Sequence, residues 1–416
     1  MSETFTNPNE AGDFRRKVTE TRRKGLKRRH RAERRFRVFG FLAIFAGLFF
    51  LAALLFSVAG KGFSAFQQTT ITLPITFSEQ VVDPEGLRDE KPRLLLTANY
   101  PALVQDALAK TLDLDPANAA EMREAMRLVS RSARVDLRDV VMDDPSVIGK
   151  TVDVKLLAAA DIDSANKGQI DLSLPETSRR VSDQQAAWMA ELKAEGRLHK
   201  SFNTGFFTHG VSSRPESAGI GVAFVGTLYM MGIVLVLSLP LGVASAIYLE
   251  EFAPKNRFTD VIEVNINNLA AVPSIVFGLL GVALFIGFLG LPRSAALVGG
   301  LVLTLMTLPT IIIATRSALK AVPPSIRSAA LGVGASKMQA VFHHVLPLAM
   351  PGILTGTIIG LARALGETAP LLLIGMVAFV ADYPASPLDP STALPVQIYM
   401  WAGEAERAFV ERTSAA

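Results

Sequence analysis

The chain has 416 residues, half of them hydrophobic, and a formal net charge of +4 at pH 7. It contains no cysteine, which excludes disulfides, thiolate nucleophiles and cysteine-based metal sites within this sequence. The five histidines show no HExxH or similar ligand spacing, so we expect neither a metal site nor catalytic residues. The apolar residues fall in runs of about 20 or more, long enough to cross a ~30 Å hydrocarbon core. These properties indicate an integral membrane protein.

The N-terminal region combines a basic arm with an apolar run. Residues 1–37 hold thirteen Lys and Arg residues against five Asp and Glu residues. A basic arm can bind nucleic acid, but this one adjoins the apolar run at residues 38–60, and the positive-inside rule accounts for it. The run exceeds the roughly 7–15-residue core of a signal peptide. We therefore predict no nucleic-acid partner, a cytoplasmic N-terminus and an uncleaved first transmembrane helix at 38–60.

Residues 61–217 are charged and contain no run of membrane length. The alternation in QTTITLPITF predicts a strand, and TVDVKLLAAADID predicts a strand followed by a helical turn. Helices are predicted at Tyr100–Leu112 and at Asp183–Leu198, the second with Ser182 as its N-cap. A segment of this length can bury its own core. We expect a small α+β domain outside the cytoplasm, with a long disordered loop as the alternative.

Four further apolar spans follow and form a transmembrane core at residues 218–376. They are predicted at 218–249, 271–290, 295–315 and 351–376. With the N-terminus inside, the loop from Arg316 to Leu348 falls in the cytoplasm, and its basic residues agree with the positive-inside rule. A polar sequence, VNINNL, leads into the second of these four spans. Its three asparagines either line a path or mark the membrane interface: Asn265, Asn267 and Asn268.

Residues 325–347 resemble the cytoplasmic coupling loop of ABC-importer permeases, whose motif is EAA, three residues, Gly, nine residues, Ile, one residue and Leu-Pro. The matching positions are Ser328, Ala329, Ala330, Gly334, His344, Leu346 and Pro347. Serine replaces the usual acidic residue and histidine the usual isoleucine, which puts in doubt an ion pair with a partner at Ser328.

Three features of this loop suit docking. Small side chains at Ala329 and Ala330 would let a short helix lie close in a groove of a partner. Gly334 permits a sharp turn without a Cβ penalty, and Pro347 and Pro351 suit the first turn of the next helix. The alternative is a plain amphipathic surface helix.

The last predicted span contains Arg363 and Glu367, one helical turn apart. Ionisable groups in hydrocarbon cost roughly 2.5–3.5 kcal/mol each, so they normally mark a substrate path. If the helix begins near Pro351, Arg363 lies ~18 Å along it, near the bilayer centre. Side chains at i and i+4 can meet, and the arginine fork suits bidentate phosphate recognition. The alternative is a structural ion pair that holds helices together.

Pro370 removes the backbone donor that would have bonded the Gly366 carbonyl. Unwound backbone is tolerated in a membrane where it lines a cavity. The sequence therefore predicts an interruption of the helix beside the charged pair.

The segment LARALGETAPLLL resembles the fifth span of PstA-type phosphate ABC-transporter permeases. The matching positions are Arg363, Gly366, Glu367, Thr368, Ala369 and Pro370. AIYLEEFAP and VPSIVFGLLG support the resemblance, which covers about residues 219–412. It implies an all-α polytopic membrane protein, a type I ABC-importer permease, with an inserted small α+β extracytoplasmic domain. It also implies a substrate path formed by Arg363, Gly366, Glu367, Thr368 and Pro370.

The resemblance implies a transport subunit in the bacterial inner membrane rather than an enzyme. No GxxxxGK[ST] motif occurs, so this chain cannot cradle nucleotide phosphates, and we expect no cofactor in it. The implied partners are a second related permease, two ATPase subunits that bind ATP, a periplasmic phosphate-binding protein, inorganic phosphate and the bilayer. The expected function is ATP-driven phosphate import, coupled through residues 325–347.

Other functions remain as alternatives. A permease for sulfate or molybdate would need the same charge. A membrane-anchored sensor would not need four further spans, and a channel would not need a coupling loop. Residues 377–416 are predicted to be a polar extracytoplasmic segment. Since the family has one more span at this point, we expect the natural product to continue past Ala416 with a final helix.

Overall fold

A computed structural model of the chain describes residues 8–86, 88, 92–377 and 379–416. The chain divides into two units, residues 1–61 and 62–416. In the first unit, one helix, α1 (Pro8–Gly62), runs through the basic arm and the predicted first span. Its candidate membrane-spanning segment is Arg29–Phe66. The first seven residues of the predicted basic arm lie outside the described residues.

The second unit begins with a small antiparallel sheet. Its strands are β1 (Gln67–Thr76), β2 (Thr151–Leu157) and β3 (Leu198–Phe202), in the order β2–β1–β3. Leu73 pairs with Val154, and Ile71 pairs with Leu198. Alternate residues from Ile71 to Phe77 are fully buried because the period of two sends them to one face.

Short helices complete this α+β domain. They are α2 (Glu79–Val82), α3 (Tyr100–Thr111), α4 (Ala119–Met126), α5 (Ala133–Asp143), α6 (Ala160–Asn166), α7 (Asp183–Ala194) and α8 (Gly205–Thr208). The helix predicted at Tyr100–Leu112 is confirmed as α3, whereas the one predicted at Asp183–Leu198 is α7 and is four residues shorter, because Leu198 belongs to β3. Ser182 and Gln185 form a capping box at the start of α7. The helix ends at Ala194 because Gly196, at φ +67°, turns the chain into β3. The buried core excludes the alternative of a disordered loop.

The remaining helices form the apolar core and the segment that follows it. They are α9 (Gly221–Ile247), α10 (Arg257–Ala270), α11 (Ser274–Gly281), α12 (Ala296–Ala321), α13 (Pro324–Gly332), α14 (Lys337–Ala340), α15 (Leu346–Leu365), α16 (Ala369–Leu373), α17 (Leu394–Ala402) and α18 (Phe409–Ala415). Turns of π-helix extend α9 to Phe252 and α11 to Phe288, and join α14 to α15.

Helix α12 lies at the centre of the core and packs against both α9 and α15. Small residues permit the close approach of α15 and α12. A Cβ at Gly352 would collide with Ala318, and one at Gly356 would collide with Ala314. Such small-residue contacts are typical of helices that associate within a membrane.

The span predicted at 271–290 is not a simple transmembrane helix. Its apolar part is the helical segment Ser274–Phe288, which joins α10 through a bend of 101°. Pro273 ends one helix and begins the next, and the polar lead-in VNINNL is itself part of α10. At 1.5 Å per residue, Ser274–Phe288 is only about 22 Å long, too short to cross the bilayer alone.

The span predicted at 351–376 is shifted toward the N-terminus. A continuous helical segment runs from Lys337 to Leu365, and Pro351 lies inside it rather than at its start. Arg363 is consequently in the last turn of the helix, not near its middle. Among the described residues, four helices are long and apolar enough to span a membrane, or five if the bent pair forms one span.

The segment after the core packs onto the α+β domain. The buried Glu411 carboxylate accepts hydrogen bonds from Ser64 at 2.7 Å, Lys167 at 2.8 Å and Gln169 at 2.7 Å. The guanidinium of Arg412 is buried 5.6 Å from the Phe206 ring centroid. Residues 404–416 are therefore part of the folded domain.

The carboxyl of Asp136 predicts that the stability of the α+β domain depends on pH. Burial raises the pKa of Asp136 from 3.8 to about 6, with a further increase from Asp139 and a decrease from the Ser132 hydrogen bond. The folded state holds this proton more tightly than the unfolded chain. Its stabilising effect is therefore full below pH 3.8 and lost as the pH rises through about 6.

Asp136→Asn should raise the Tm of the purified protein at about pH 7 and change it little at about pH 4. The matched control is Asp153→Asn, which removes an exposed carboxylate from β2. A Tm difference for Asp136→Asn that does not vary with pH would contradict this explanation.

Candidate functional site

The backbone is interrupted between α15 and α16, at residues 366–368. Helix α15 ends with hydrogen bonds from the Gly366 amide to the Arg363 carbonyl and from the Glu367 amide to the Ala364 carbonyl. Pro370 lies in the first turn of α16, as the missing amide of proline predicts. The interruption predicted from Gly366 and Pro370 is thus present.

The predicted charged pair forms at this interruption. The Arg363 Nε lies 3.7 Å from the Glu367 Oε1, and the two side chains are 50% and 18% exposed. The ion pair leaves most of the guanidinium free to bind another group. The pair therefore meets as predicted, but at a helix end rather than within a continuous helix.

The bend between α10 and α11 is a second interruption of the backbone, and the helix after it packs beside the interruption at residues 366–368. Helix α11, which follows the bend at Pro273, lies against α16, and a Cβ at Gly278 would collide with Pro370. Gly366, by contrast, has φ −86°, and a Cβ there would meet no atom closer than 3.7 Å. One side of the interruption is therefore covered by α11, while Gly366 faces open space.

The remaining predicted polar residues lie near the bend rather than at the charged pair. Asn267 and Asn268 are exposed in the last turns of α10, and Asn265 donates a hydrogen bond to the Val261 carbonyl of its own helix. Thr368 is partly buried at the start of α16. The structure does not bring the asparagines into contact with Arg363 or Glu367.

The loop at 325–347 contains a turn that requires glycine. Helix α13 ends at Gly332, and Gly334 has φ +90°, a conformation that residues with a side chain rarely adopt. Ser336 and Gln339 then form a capping box that starts α14. The sharp turn predicted at Gly334 is confirmed.

The other motif positions divide between the surface and the core. Ser328, Ala329, His344 and Pro347 are exposed, and Leu346 is half-buried. Ala330 is only 5% exposed, so its small side chain packs within this chain rather than facing a partner. Four large apolar side chains of the loop are exposed: Leu331, Val333, Met338 and Phe342. They give the loop an apolar outer surface.

A charge cluster anchors this loop to the end of α9. The Arg327 guanidinium contacts the Glu251 carboxylate at 2.6, 3.1 and 3.3 Å and donates to the carbonyls of Leu319 and Val322. The Glu251 side chain is only 8% exposed. One arginine therefore fixes α13 relative to α9 and α12.

Arg316 and Lys320 form neighbouring ion pairs, which are longer or more exposed than the pair of Arg327 with Glu251. Arg316 lies 3.4 Å from Glu250 and 2.6 Å from Glu263, and Lys320 lies 3.5 Å from Glu250. Sequence reasoning assigned Arg316 to the end of a span and missed these pairings. The sequence did contain a signal for these pairings: two adjacent glutamates in AIYLEEFAP lie at the end of an apolar run.

Two stretches of the chain match protein families. Residues 238–383 match the binding-protein-dependent transport system inner membrane component, and this range includes both helix interruptions. Residues 23–176 match a domain of unknown function, DUF3333, and this range includes much of the α+β domain.

Individual proteins are also similar. The phosphate transport system permease protein PstA 1 of Mycobacterium tuberculosis is 38% identical over 174 residues, 41% of this chain and 57% of that protein. PstA of Haemophilus influenzae is 30% identical over 196 residues, 47% of this chain and 68% of that protein. A solved structure of the MetNI methionine ABC transporter covers 47% of this chain and 84% of its own, with 19% identity and a TM-score of 0.35. That likeness is too weak to carry an argument.

The matched inner-membrane region and the apolar helices define a membrane-spanning component of a binding-protein-dependent transporter. The chain belongs to the family of PstA-type phosphate transport system permeases. It has the fold of a type I ABC-importer permease with a small α+β domain inserted after α1, and this family consists of transport subunits rather than enzymes. The chain spans 57% of the length of the Mycobacterium tuberculosis relative.

The anchoring role of Arg327 predicts a difference between two adjacent glutamates. Glu251→Gln leaves the arginine without its counter-charge and should cost about 1.5–3 kcal/mol, as hydrogen bonds to charged groups do. The Tm of the purified protein should fall by several degrees. Glu250→Gln is the matched control, because its contacts are 3.4 and 3.5 Å and its effect should be smaller. Equal losses from the two substitutions would contradict the anchor.

Proposed function

We propose that this chain is the permease subunit of an ATP-driven inorganic phosphate importer in the bacterial inner membrane. Its N-terminus is cytoplasmic, and its α+β domain is extracytoplasmic. It works with a second homologous permease, two ATPase subunits that bind ATP, and a periplasmic phosphate-binding protein. Membership of the PstA-type family supports the substrate and the partners.

The observation that carries the proposal is the half-exposed Arg363 at the interruption after α15. A membrane-embedded arginine is costly unless it is paired or serves a hydrated path. Here the pairing with Glu367 is a single contact at 3.7 Å, so donors of the planar fork remain available. Phosphate can take two of these donors in a bidentate arrangement.

Glu367 has a complementary role in this mechanism. Its carboxylate offsets the arginine charge when no substrate is present. When phosphate arrives, the two anions repel each other, so Glu367 must move away or accept a proton from a protonated phosphate. This competition keeps phosphate binding weak enough for release, as conduction through a membrane path requires.

The exposed backbone at Gly366 supports the same role. A residue without a side chain leaves the peptide groups of the interruption accessible to a ligand. Thr368 can contribute a hydroxyl, and Pro370 keeps α16 separate from α15. Together with Arg363 and Glu367, these residues form the proposed substrate path.

The loop at 325–347 is proposed to dock the ATPase subunit. Its exposed apolar side chains suit burial against another protein. The helical segment from Lys337 to Leu365 begins within this loop and reaches the charged pair, with about 24 Å between Pro347 and Arg363 at 1.5 Å per residue. A displacement at the docking loop can therefore move Arg363 as a rigid-body shift.

Permeation of another oxyanion is the second candidate. Sulfate and molybdate are also tetrahedral oxyanions and would use the same arginine fork. Resemblance to PstA-type permeases favours phosphate. Competition with unlabelled sulfate and molybdate separates the candidates, because only the true substrate should reduce uptake of the labelled ion.

Arg363→Ala should reduce uptake of radiolabelled phosphate by cells at least about ten-fold, since a bidentate charge-assisted contact contributes roughly 1.5–3 kcal/mol. Arg363→Lys should also reduce uptake, because the charge remains but the planar fork is lost. Arg197→Ala, at a half-buried arginine between α7 and β3 that pairs with Glu195, is the control. Co-purification of partner subunits checks assembly. Near-normal uptake by an assembled Arg363→Ala transporter would contradict the proposed path.

A further inference from the structure

The α+β domain and the segment after the core enclose two adjoining clefts. Their volumes are about 970 and 950 Å³. Arg131, at the start of α5, and Arg214, before α9, line both clefts although they are far apart in sequence. They mark the junction of one continuous depression outside the spans.

The first cleft has an excess of positive charge. Six arginines line it: Arg123, Arg127, Arg131, Arg180, Arg214 and Arg407. Three carboxylates line it too: Asp161, Glu216 and Glu406. Asp161 lies 3.8 Å from Arg180, and a Glu216 oxygen accepts a hydrogen bond from Ser130. Within the described part of the chain, four of the arginines have no carboxylate within ion-pair distance: Arg123, Arg131, Arg214 and Arg407.

A hydrogen bond joins the two loops that carry Arg131 and Arg214. The hydroxyl of Ser130 donates to Glu216 at 2.6 Å, which joins the loop before α5 to the loop before α9. Arg131 and Arg214 flank this contact in the sequence. The Glu216 carboxylate at this contact offsets part of the charge of the two arginines, and the excess of arginines in the first cleft leaves the rest uncompensated. A bound anion would compensate the remaining charge.

The side chains indicate which anion would fit. Arginine forks recognise planar or tetrahedral oxyanions, and phosphoryl groups accept from several donors at once. Ser212 and Ser213, beside Arg214, add hydroxyl donors to the second cleft. The volume exceeds that of one phosphate ion and matches ligands of larger size. An extended anion with several charges could contact Arg131, Arg214 and Arg407 together.

We propose that this arginine-lined depression binds a phosphoryl anion with several negative charges, such as a condensed phosphate or a phospholipid headgroup. The choice of a phosphoryl anion over a carboxylate rests on the proposed function. The site itself is separate from the charged pair at Arg363, because the clefts are lined by the α+β domain and by residues 379–408 at their far edges.

Binding of sodium tripolyphosphate to the purified full chain, measured by calorimetry at constant ionic strength, tests this site. All variants carry Arg363→Ala, so that the proposed transport path does not contribute. The double substitution Arg131→Gln with Arg214→Gln should weaken binding at least ten-fold. The control, Arg197→Gln with Lys200→Gln, removes the same two positive charges outside both clefts and should leave the affinity unchanged. Equal affinity of the double variant and the control would overturn the proposal.

A second pair of variants keeps the test valid if the glutamines disturb folding. Arg131→Lys with Arg214→Lys retains both charges but removes the forks, so binding should weaken measurably with an unchanged Tm. Lysine variants that bind as tightly as the unsubstituted cleft would overturn recognition by the arginine forks. Equal binding of polyglutamate by the unsubstituted cleft would overturn the phosphoryl assignment and favour an acidic protein segment.

Two further arms distinguish the sources of the phosphoryl group. In nanodiscs of phosphatidylcholine, tripolyphosphate should bind as it does in detergent. If cardiolipin in the nanodisc, whose headgroup carries two phosphates, weakens tripolyphosphate binding ten-fold, and the double variant abolishes this competition, a lipid headgroup occupies the site. If the lipid has no effect, a free phosphoryl anion is the ligand. Loss of uptake in Arg363→Ala with retained cleft binding would separate this proposal from the transport path.

Discussion

The interruption of the backbone at residues 366–368 is the constraint on which the rest of the core depends. Peptide groups in an apolar layer must be satisfied internally or face a hydrated cavity. Here α11 covers one side through the contact of Gly278 with Pro370, and the opposite side presents Gly366 and the charged pair. We propose that the arginine at this position binds an oxyanion, because half of its side chain is exposed beside the interruption.

This arrangement requires rigid support from the surrounding helices. Small residues let α15 pack closely on α12, so that α15 has a fixed path from the loop at 325–347 to Arg363. At the opposite end, Arg327 joins α13 to Glu251 and to two carbonyls near the end of α12. A force applied at the loop would therefore act on α9, α12 and α15 together rather than unfold a flexible hairpin.

Local patterns in the sequence predicted the elements whose causes are local. The alternation in β1 placed Ile71 and Leu73 in the core, and Ser182 started α7 as its capping chemistry requires. The meeting of Arg363 with Glu367 followed from their spacing. These predictions succeeded because each depends on residues within one or two turns.

Local sequence patterns did not predict the features that depend on residues far apart in the chain. Proline suggested a helix start at Pro351, yet a helix packed among other helices tolerates an internal proline, and the true start lies earlier. The bend at Pro273 divides the span predicted at 271–290, because the direction of α11 depends on its packing against α16. The pairs Arg327–Glu251 and Lys167–Glu411 join residues far apart in the chain, and no local pattern reveals which charges will meet.

The central claim is that phosphate passes the interruption beside Arg363. The chain has no cysteine, so Gly366→Cys introduces a single thiol at a position where a Cβ meets nothing closer than 3.7 Å. Gly232→Cys is the control, on an exposed face of α9 where a Cβ also has open space. Labelling by a membrane-impermeant cationic thiol reagent is measured in membranes that contain the whole transporter. The account predicts that Gly366→Cys is labelled, that phosphate slows this labelling, and that Gly232→Cys is not labelled. Labelling of Gly366→Cys that is absent, or that phosphate does not change, would contradict it.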